Sequence, residues 1–310
     1  GWFYRIPKLK RPRGNQGSKE KFYYKDLITC FDIETSRIPQ THWTTDRILP
    51  GGRREPIDHY QTAMYMWQWQ IGPIYTVIGR TMQELREFVN KLQSYIKGSL
   101  RLAVFVHNLS YEFQFLRAIF DWQTEDVFAT KSRKVLRAYS PGRKLEYRCS
   151  YMHSNMSLAQ YTHKMGIKHR KLSGDDFDYH EIRYPWTPLT EEQLEYGVND
   201  VLGLHEAITK EMEMDGDTLY TFPLTSTGYL RREVKEALAP IRQKTIRPMM
   251  PTLSQYNLLR EAFAGGDTHA NRYYSGQIIE NVHSWDRSSS YPDVQCNEKF
   301  PIRPFVEIGH

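Results

Sequence analysis

A chain of 310 residues, 40% hydrophobic and 25% charged, has the balance of a folded globular protein and room for one large domain or two ordinary ones, which excludes a disordered or low-complexity chain. No apolar run approaches the roughly 18–20 residues of a membrane span, and the N-terminus lacks the order of a secretory signal, so a cytoplasmic protein with no membrane partner is expected. The net charge of +6 and three scattered cysteines without a C-x-x-C pair exclude a zinc ribbon or disulfide framework and lean toward an anionic partner.

The excess charge starts at the N-terminus, where Arg5, Lys8, Lys10, Arg11, Arg13, Lys19, Lys21 and Lys25 face one acid, Glu20. Such an arm (1–22) is either a phosphate-binding footprint or a solvated tail. Aromatic residues reach 14%, a content that with basic charge suits single-stranded nucleic acid, whose bases stack on rings beside a charged groove.

Leu27 to Glu34 is a short apolar, β-branched run that predicts a buried strand ending in carboxylates. A loop rich in Pro, Gly and Arg follows, including Pro50 to Arg54. Thr62 to Gln70 and Ile74 to Gly79, parted by Gly72-Pro73, predict a hairpin. Thr81-Met82-Gln83-Glu84 is a capping box opening a helix that buries Leu85, Phe88, Val89, Leu92 and Ile96. Leu102 to Val106 predicts a second buried strand, followed by a helix carrying Phe113, Leu116 and Phe120. Strands over Lys134 to Tyr139 and Lys144 to Cys149 flank the turn Pro141-Gly142, and a capping box at Thr190 opens a helix to about Met212. This order implies an α/β fold with a mixed sheet and flanking helices. Beyond about residue 215 prolines interrupt mainly helical stretches, and Gln277 to Val294 predicts a strand leading into a helix.

Asp32 and Glu34, two apart on a strand, point to one face. Two carboxylates at the end of a buried strand repel each other unless a cation lies between them, so the pair suggests a divalent metal site. D-x-E is expected about once by chance in a chain of this length, and its position at the end of an apolar run carries the weight. Glu112 follows the second strand closely, either near that pair or as an acid favoured at a helix N-terminus. Tyr196 and Asp200, four apart, share a helix face.

In this order, Asp32-x-Glu34, Asn108-x-x-Tyr111-Glu112 and Tyr196-x-x-x-Asp200 resemble the three exonuclease motifs of family B DNA polymerases, in particular the protein-primed phage branch. The resemblance implies a ribonuclease-H-like (DnaQ-like) 3′→5′ exonuclease domain over 23–215, in which Asp32, Glu34, Glu112 and Asp200 hold two Mg²⁺ (or Mn²⁺) ions and Tyr196 orients the attacking water. It further implies single-stranded DNA contacts from Thr35, Phe105, His107, Asn108, Tyr111, Phe115, Ser157, Leu158 and Lys171, with Phe105 and Phe115 equally open to core packing. Asp176 to His180 occupies the region of the branch's lysine motif. Phe263-Ala264-Gly265-Gly266 is similar to the Tyr-x-Gly-Gly linker of that branch, within a connecting segment, 216–280. Asp286 to Pro292 resembles polymerase motif A at the start of a palm-type domain, 281–310, with Asp286 as a metal ligand of an incomplete polymerase site and Tyr291 against the incoming nucleotide. Glu112 stands where most relatives have Asp, Phe263 for Tyr and Ser290 for Leu.

The resemblance therefore implies a monomeric fragment of a proofreading DNA polymerase that acts on single-stranded 3′ ends, with a terminal or priming protein as a further partner. No later polymerase motif follows Pro292, so the fragment alone is not expected to polymerise. Two other functions compete. A free-standing nuclease of the same fold has no use for a motif like Asp286 to Pro292. A catalytically silent module binding DNA or a priming protein predicts lost carboxylates, and none is lost unless Glu112 counts as one.

Overall fold

The computed structural model describes residues 2–11, 22–49, 52–169, 181–263, 269, 271–300, 303, 304, 306 and 308. The elements run α1 (Trp2–Arg5), β1 (Tyr23–Ile48), β2 (Arg54–Ile71), β3 (Tyr75–Gly79), α2 (Met82–Tyr95), β4 (Leu100–Val106) and α3 (Leu109–Leu116). They continue through β5 (Val127–Ala129), β6 (Val135–Tyr139), β7 (Leu145–Cys149), α4 (Ser150–Ser154), α5 (Leu158–Lys164), α6 (Glu191–Asp215), α7 (Thr227–Ala237), α8 (Leu253–Ala262) and α9 (Ser290–Asn297). The chain divides into two compact units, Gly1–Trp43 with Tyr60–Leu230, and Thr44–His59 with Arg231–His310.

In the first unit the sheet order is β3-β2-β1-β4-β7-β6-β5. The centre is parallel, with Cys30 of β1 opposite Phe105 of β4 and Val106 of β4 opposite Cys149 of β7, whereas β2–β3, β5–β6 and β6–β7 are antiparallel. Parallel central strands must be covered on both faces. The alternation of side chains along β4 shows how. Leu102, Val104 and Val106 join Leu85, Val89 and Leu92 of α2 in one core cluster, and Ala103 and Phe105 join Leu158 and Tyr161 of α5 and Val201, Leu204 and Ile208 of α6 in a second. The same period of two divides β1, sending Leu27, Phe31 and Ile33 toward α2 and Tyr24 and Cys30 toward α6. Asp32 and Glu34 continue the even-numbered series and so belong to the α6 face.

The expected capping boxes form at Thr81 with Glu84 and at Thr190 with Gln193, each satisfying two otherwise orphaned helix-end donors, an arrangement worth about 1 kcal/mol per cap. One expectation fails on the chain after Glu34. β1 runs on to Ile48 and β2 starts at Arg54, so most of the predicted loop is a long hairpin closed where the Leu49 N–H donates to the Arg53 carbonyl. Its outer residues are exposed on both faces, so the ribbon has no core-facing alternation for a sequence pattern to register.

The N-terminal arm is neither wholly solvated nor wholly basic surface. Phe3 and Ile6 pack on the first core cluster, Lys8 bridges to Lys25, and Arg11 donates to the Phe22 carbonyl at 2.5 Å. At the other end, Leu219 and Phe222 are buried with Tyr24 and Phe105 in the first unit, which runs to Leu230.

In the second unit, α8 and α9 have no buried residues. The strand expected within 277–294 does not form; the helix start at Ser290 does. A strand needs a laddered neighbour for its backbone groups. Within this unit the described residues pair only at the tip of the long hairpin.

His205, on the inner side of α6, ties stability to pH. Burial pushes its imidazole down to about 4, against a weaker opposing pull from Glu206. The unfolded chain takes up this proton near pH 6.5 and the native chain does not, so stability is present above about 6.5 and is lost as pH falls toward 4. The loss should be on the order of 3 kcal/mol. Urea unfolding followed across that window should show the slope in the wild-type chain and a flattened slope in His205→Gln; equal slopes would place the titration elsewhere.

Candidate metal centre

The acidic site is assembled by β1, one of the three parallel strands, and by α6, the longest helix among the described residues. Asp32 and Glu34 leave β1 on the face covered by α6, and Asp200 comes from α6 itself, 3% exposed. One carboxylate oxygen from each of the three lies within 4.8 Å of the others. Oxygen ligands at that spacing, two half-buried and one buried, brought from two elements, suit a hard divalent cation, whose charge would offset their mutual repulsion.

α6 approaches β2 closely because position 197 is glycine. A Cβ there would come within 2.5 Å of the Met66 methyl and 3.3 Å of the Gln68 side-chain amide. Gln68, fully buried on β2, donates from Nε2 to Asp32 Oδ2 at 2.8 Å and to Glu34 Oε1 at 3.3 Å. A neutral donor thus sits across the pair of like charges. No sequence motif marks Gln68. The available signal was the alternation Trp67-Gln68-Trp69-Gln70, apolar on one face and amide on the other; that this strand lies beside β1 is seen only in the sheet order.

Tyr196 is buried one helical turn before Asp200 on the same face of α6, as the spacing of four predicts. Glu112 is buried in the first turn of α3, beyond the end of β4, and stays outside the group of three carboxylates. Asn108 caps that helix in the left-handed conformation, φ 71°, a region that asparagine tolerates better than most residues. Thr35 Oγ1 and the Tyr111 hydroxyl share a 2.6 Å hydrogen bond, Tyr111 is partly exposed, and its ring lies 5.7 Å from that of Phe115. His107 Nδ1 is 3.0 Å from Ser150 Oγ. Thr35, Tyr111 and Phe115 therefore form one connected group.

Other expected DNA contacts have structural places. Phe105 is 1% exposed and meets Phe222 edge-on at 5.8 Å, so its ring belongs to the core rather than to a stacking surface. Leu158 is likewise core, and Ser157 is the N-cap of α5, accepting from the Gln160 N–H. Lys171, the segment Asp176 to His180, and Gly265 and Gly266 lie outside the described residues. In the second unit, Phe263 and Tyr291 are exposed, as is Asp286, and Tyr291 sits in the first turn of α9.

A seven-stranded mixed sheet with parallel centre and helices on both faces makes this an α/β protein with a ribonuclease-H-like fold, its carboxylate pair on β1. The chain belongs to the type B DNA polymerases of organellar and viral kind, whose family model matches residues 123–308. No curated protein matches it by sequence. Among solved structures it is similar to Phi29 DNA polymerase complexed with primer-template DNA and incoming nucleotide, with a TM-score of 0.56 and 16% identity over 81% of this chain. It is also similar to Phi29 DNA polymerase complexed with single-stranded DNA, with a TM-score of 0.56, 15% identity and 81% of this chain covered. The chain spans 41% and 42% of those two polymerases. Among the described residues, no helix is long and apolar enough to cross a membrane.

Proposed function

We propose that the first unit is the 3′→5′ proofreading exonuclease of a DNA polymerase of the protein-primed phage type, acting on single-stranded 3′ ends. The observation that carries this reading is the meeting of Asp32, Glu34 and Asp200 from β1 and α6, with ligand oxygens within 4.8 Å, on a chain of the type B polymerase family. Asp32, Glu34 and Asp200 would hold divalent cations, Mg²⁺ or Mn²⁺, with Glu112 supporting them from outside that group. A bound pair of such ions supplies Lewis-acid stabilisation of the attacking and leaving oxygens in an in-line displacement.

The reaction is hydrolysis of the terminal phosphodiester. A water oxygen bonds to phosphorus, the P–O3′ bond breaks, and the departing 3′ oxygen gains a proton, leaving a new 3′ hydroxyl and a released 5′-mononucleotide. Tyr196, one turn from Asp200, orients the water by hydrogen bonding. Thr35 and Tyr111, already joined to each other, and Asn108 at the start of α3 grip the terminal nucleotide, and Phe115 backs the Tyr111 ring. In this reading Asp286 and Tyr291 serve the polymerase site of the longer protein, and DNA and a terminal protein are its partners.

The 310-residue chain, incubated with Mg²⁺ and a 5′-labelled oligonucleotide, should shorten it one nucleotide at a time, and EDTA should stop the reaction. A paired 3′ end must be melted first, at about 1.4 kcal/mol per base-pair step, so it should be degraded at least about tenfold more slowly than an unpaired one. Cleavage inside the strand, or no metal-dependent shortening at all, would sink the proposal.

A further inference from the structure

We infer that Gln68 is a positioning residue for the metal-binding carboxylates, setting the affinity of the site for divalent cations; the inference rests on the nuclease reading of that site. The geometry identifies which end of the amide faces the acids. Carboxylates only accept hydrogen bonds, and Gln68 lies 2.8 Å from Asp32 and 3.3 Å from Glu34, so both contacts require the NH₂ end. One group thereby donates to both acids of β1 at once and fixes the spacing of the two carboxylate oxygens.

Gln68 is itself held rigidly. Its strand is paired on the β3 side, where Gln68 stands opposite Ile78, and Gly197 of α6 closes over its amide with no side chain between. Its carbonyl oxygen Oε1 is buried and has no hydrogen-bond partner among the described residues. A buried amide with one end committed to two carboxylates and the other end unsatisfied is costly as a purely structural device. It is intelligible as an outer contact that orients metal ligands, the kind whose loss lowers metal affinity or activity by 10–100-fold.

Gln70, two residues along the same strand face, provides the contrast. It is as buried as Gln68, yet its amide donates to the Gly72 carbonyl and accepts from Thr76, with no carboxylate in reach of those bonds. Losing a buried amide and losing the carboxylate contact can therefore be separated by experiment.

Binding of Mn²⁺ alone to the full chain, followed by electron paramagnetic resonance, reads the site without DNA. Gln68→Met keeps the length and removes the donor, and should raise the half-saturating Mn²⁺ concentration about tenfold or more. Gln70→Met should leave it unchanged. Should the Met variant fail to fold, Gln68→Asn retains an amide but draws it back by one methylene, and should shift the midpoint in the same direction. An unchanged midpoint in the Gln68 variants, or an equal shift in Gln70→Met, overturns the inference. The same proteins assayed for Mg²⁺-dependent exonuclease activity separate the two readings. A Gln68-dependent Mn²⁺ midpoint without nuclease activity leaves the positioning role standing and removes the nuclease, and nuclease activity with unmoved midpoints does the reverse.

Discussion

Release of nucleotides from a single-stranded 3′ end is expected to fall by at least about 100-fold in Asp32→Ala and in Asp200→Ala, since loss of even an outer contact of a metal site reaches that scale. The expectation follows from convergence: the two residues come from different elements, a strand and a helix, and place oxygens within 4.8 Å of each other and of Glu34. Removing either leaves too few hard ligands to neutralise a phosphodiester under attack. The same substitutions should not unfold the protein. Asp200 is buried among like charges, so in the absence of metal its removal relieves repulsion, and thermal unfolding in EDTA should occur at the wild-type temperature or above. Added Mn²⁺ should stabilise the wild-type chain by about 2.7 kcal/mol at 100 times its dissociation constant and leave both variants unmoved. Glu112 lies outside the group, so Glu112→Asp should retain activity. Degradation by Asp32→Ala at the wild-type rate, in the same Mg²⁺ and with the same oligonucleotide, would end the nuclease reading.

Much of this site is legible in the sequence because regular elements convert spacing into direction. Two residues apart on a strand gives Asp32 and Glu34 one face, and four apart on a helix gives Tyr196 and Asp200 another; the capping box at Thr190 marks where that helix begins. The hairpin β2–β3 and the buried strand β4 are legible for the same reason, through alternation and the turn at Gly72-Pro73. Where the chain is illegible, the pattern that would reveal it is missing. The long ribbon after Glu34 is wetted on both faces and shows no period. Phe105 and Leu158 carry aromatic and apolar chemistry that fits a DNA grip or a core equally well, and only their burial shows that they serve the core. Gln68 is the deepest case. An amide inside a strand matches no motif, and its meaning depends on two carboxylates more than thirty residues away.

The largest effect on stability is expected at Glu146, remote from any function assigned above. Its carboxylate is fully buried on β7, paired with Arg148 at 3.0 Å and with Arg101 of β4 at 3.5 Å, and it accepts from the Tyr24 hydroxyl of β1. Arg148 donates in turn to Tyr24 at 2.8 Å and to the Leu219 carbonyl at 2.8 Å, so the network fastens the three parallel strands to the segment after α6. Burial pushes the Glu146 carboxyl up, but Arg148, Tyr24, Arg101 and Arg137 outweigh it and hold it below the usual carboxylate range, while the Tyr24 phenol is pushed up to about 12, first by burial. Replacing Glu146 by Gln removes the negative charge facing the buried Arg148 guanidinium, and breaking a buried pair in this way costs about 3–5 kcal/mol. Thermal unfolding should drop by on the order of 10 °C. The pH dependence gives an independent check. A carboxyl depressed in the folded state contributes stability that is present above its unfolded value near 4.3 and is lost as pH falls through the lower folded value. Glu146→Gln should therefore cost most near neutral pH, and its deficit should shrink below about pH 4.3, in a window more acid than the one governed by His205. A deficit that stays constant down to pH 3 would mean that the charge of Glu146 contributes nothing, and that only the shape of its side chain matters to the sheet.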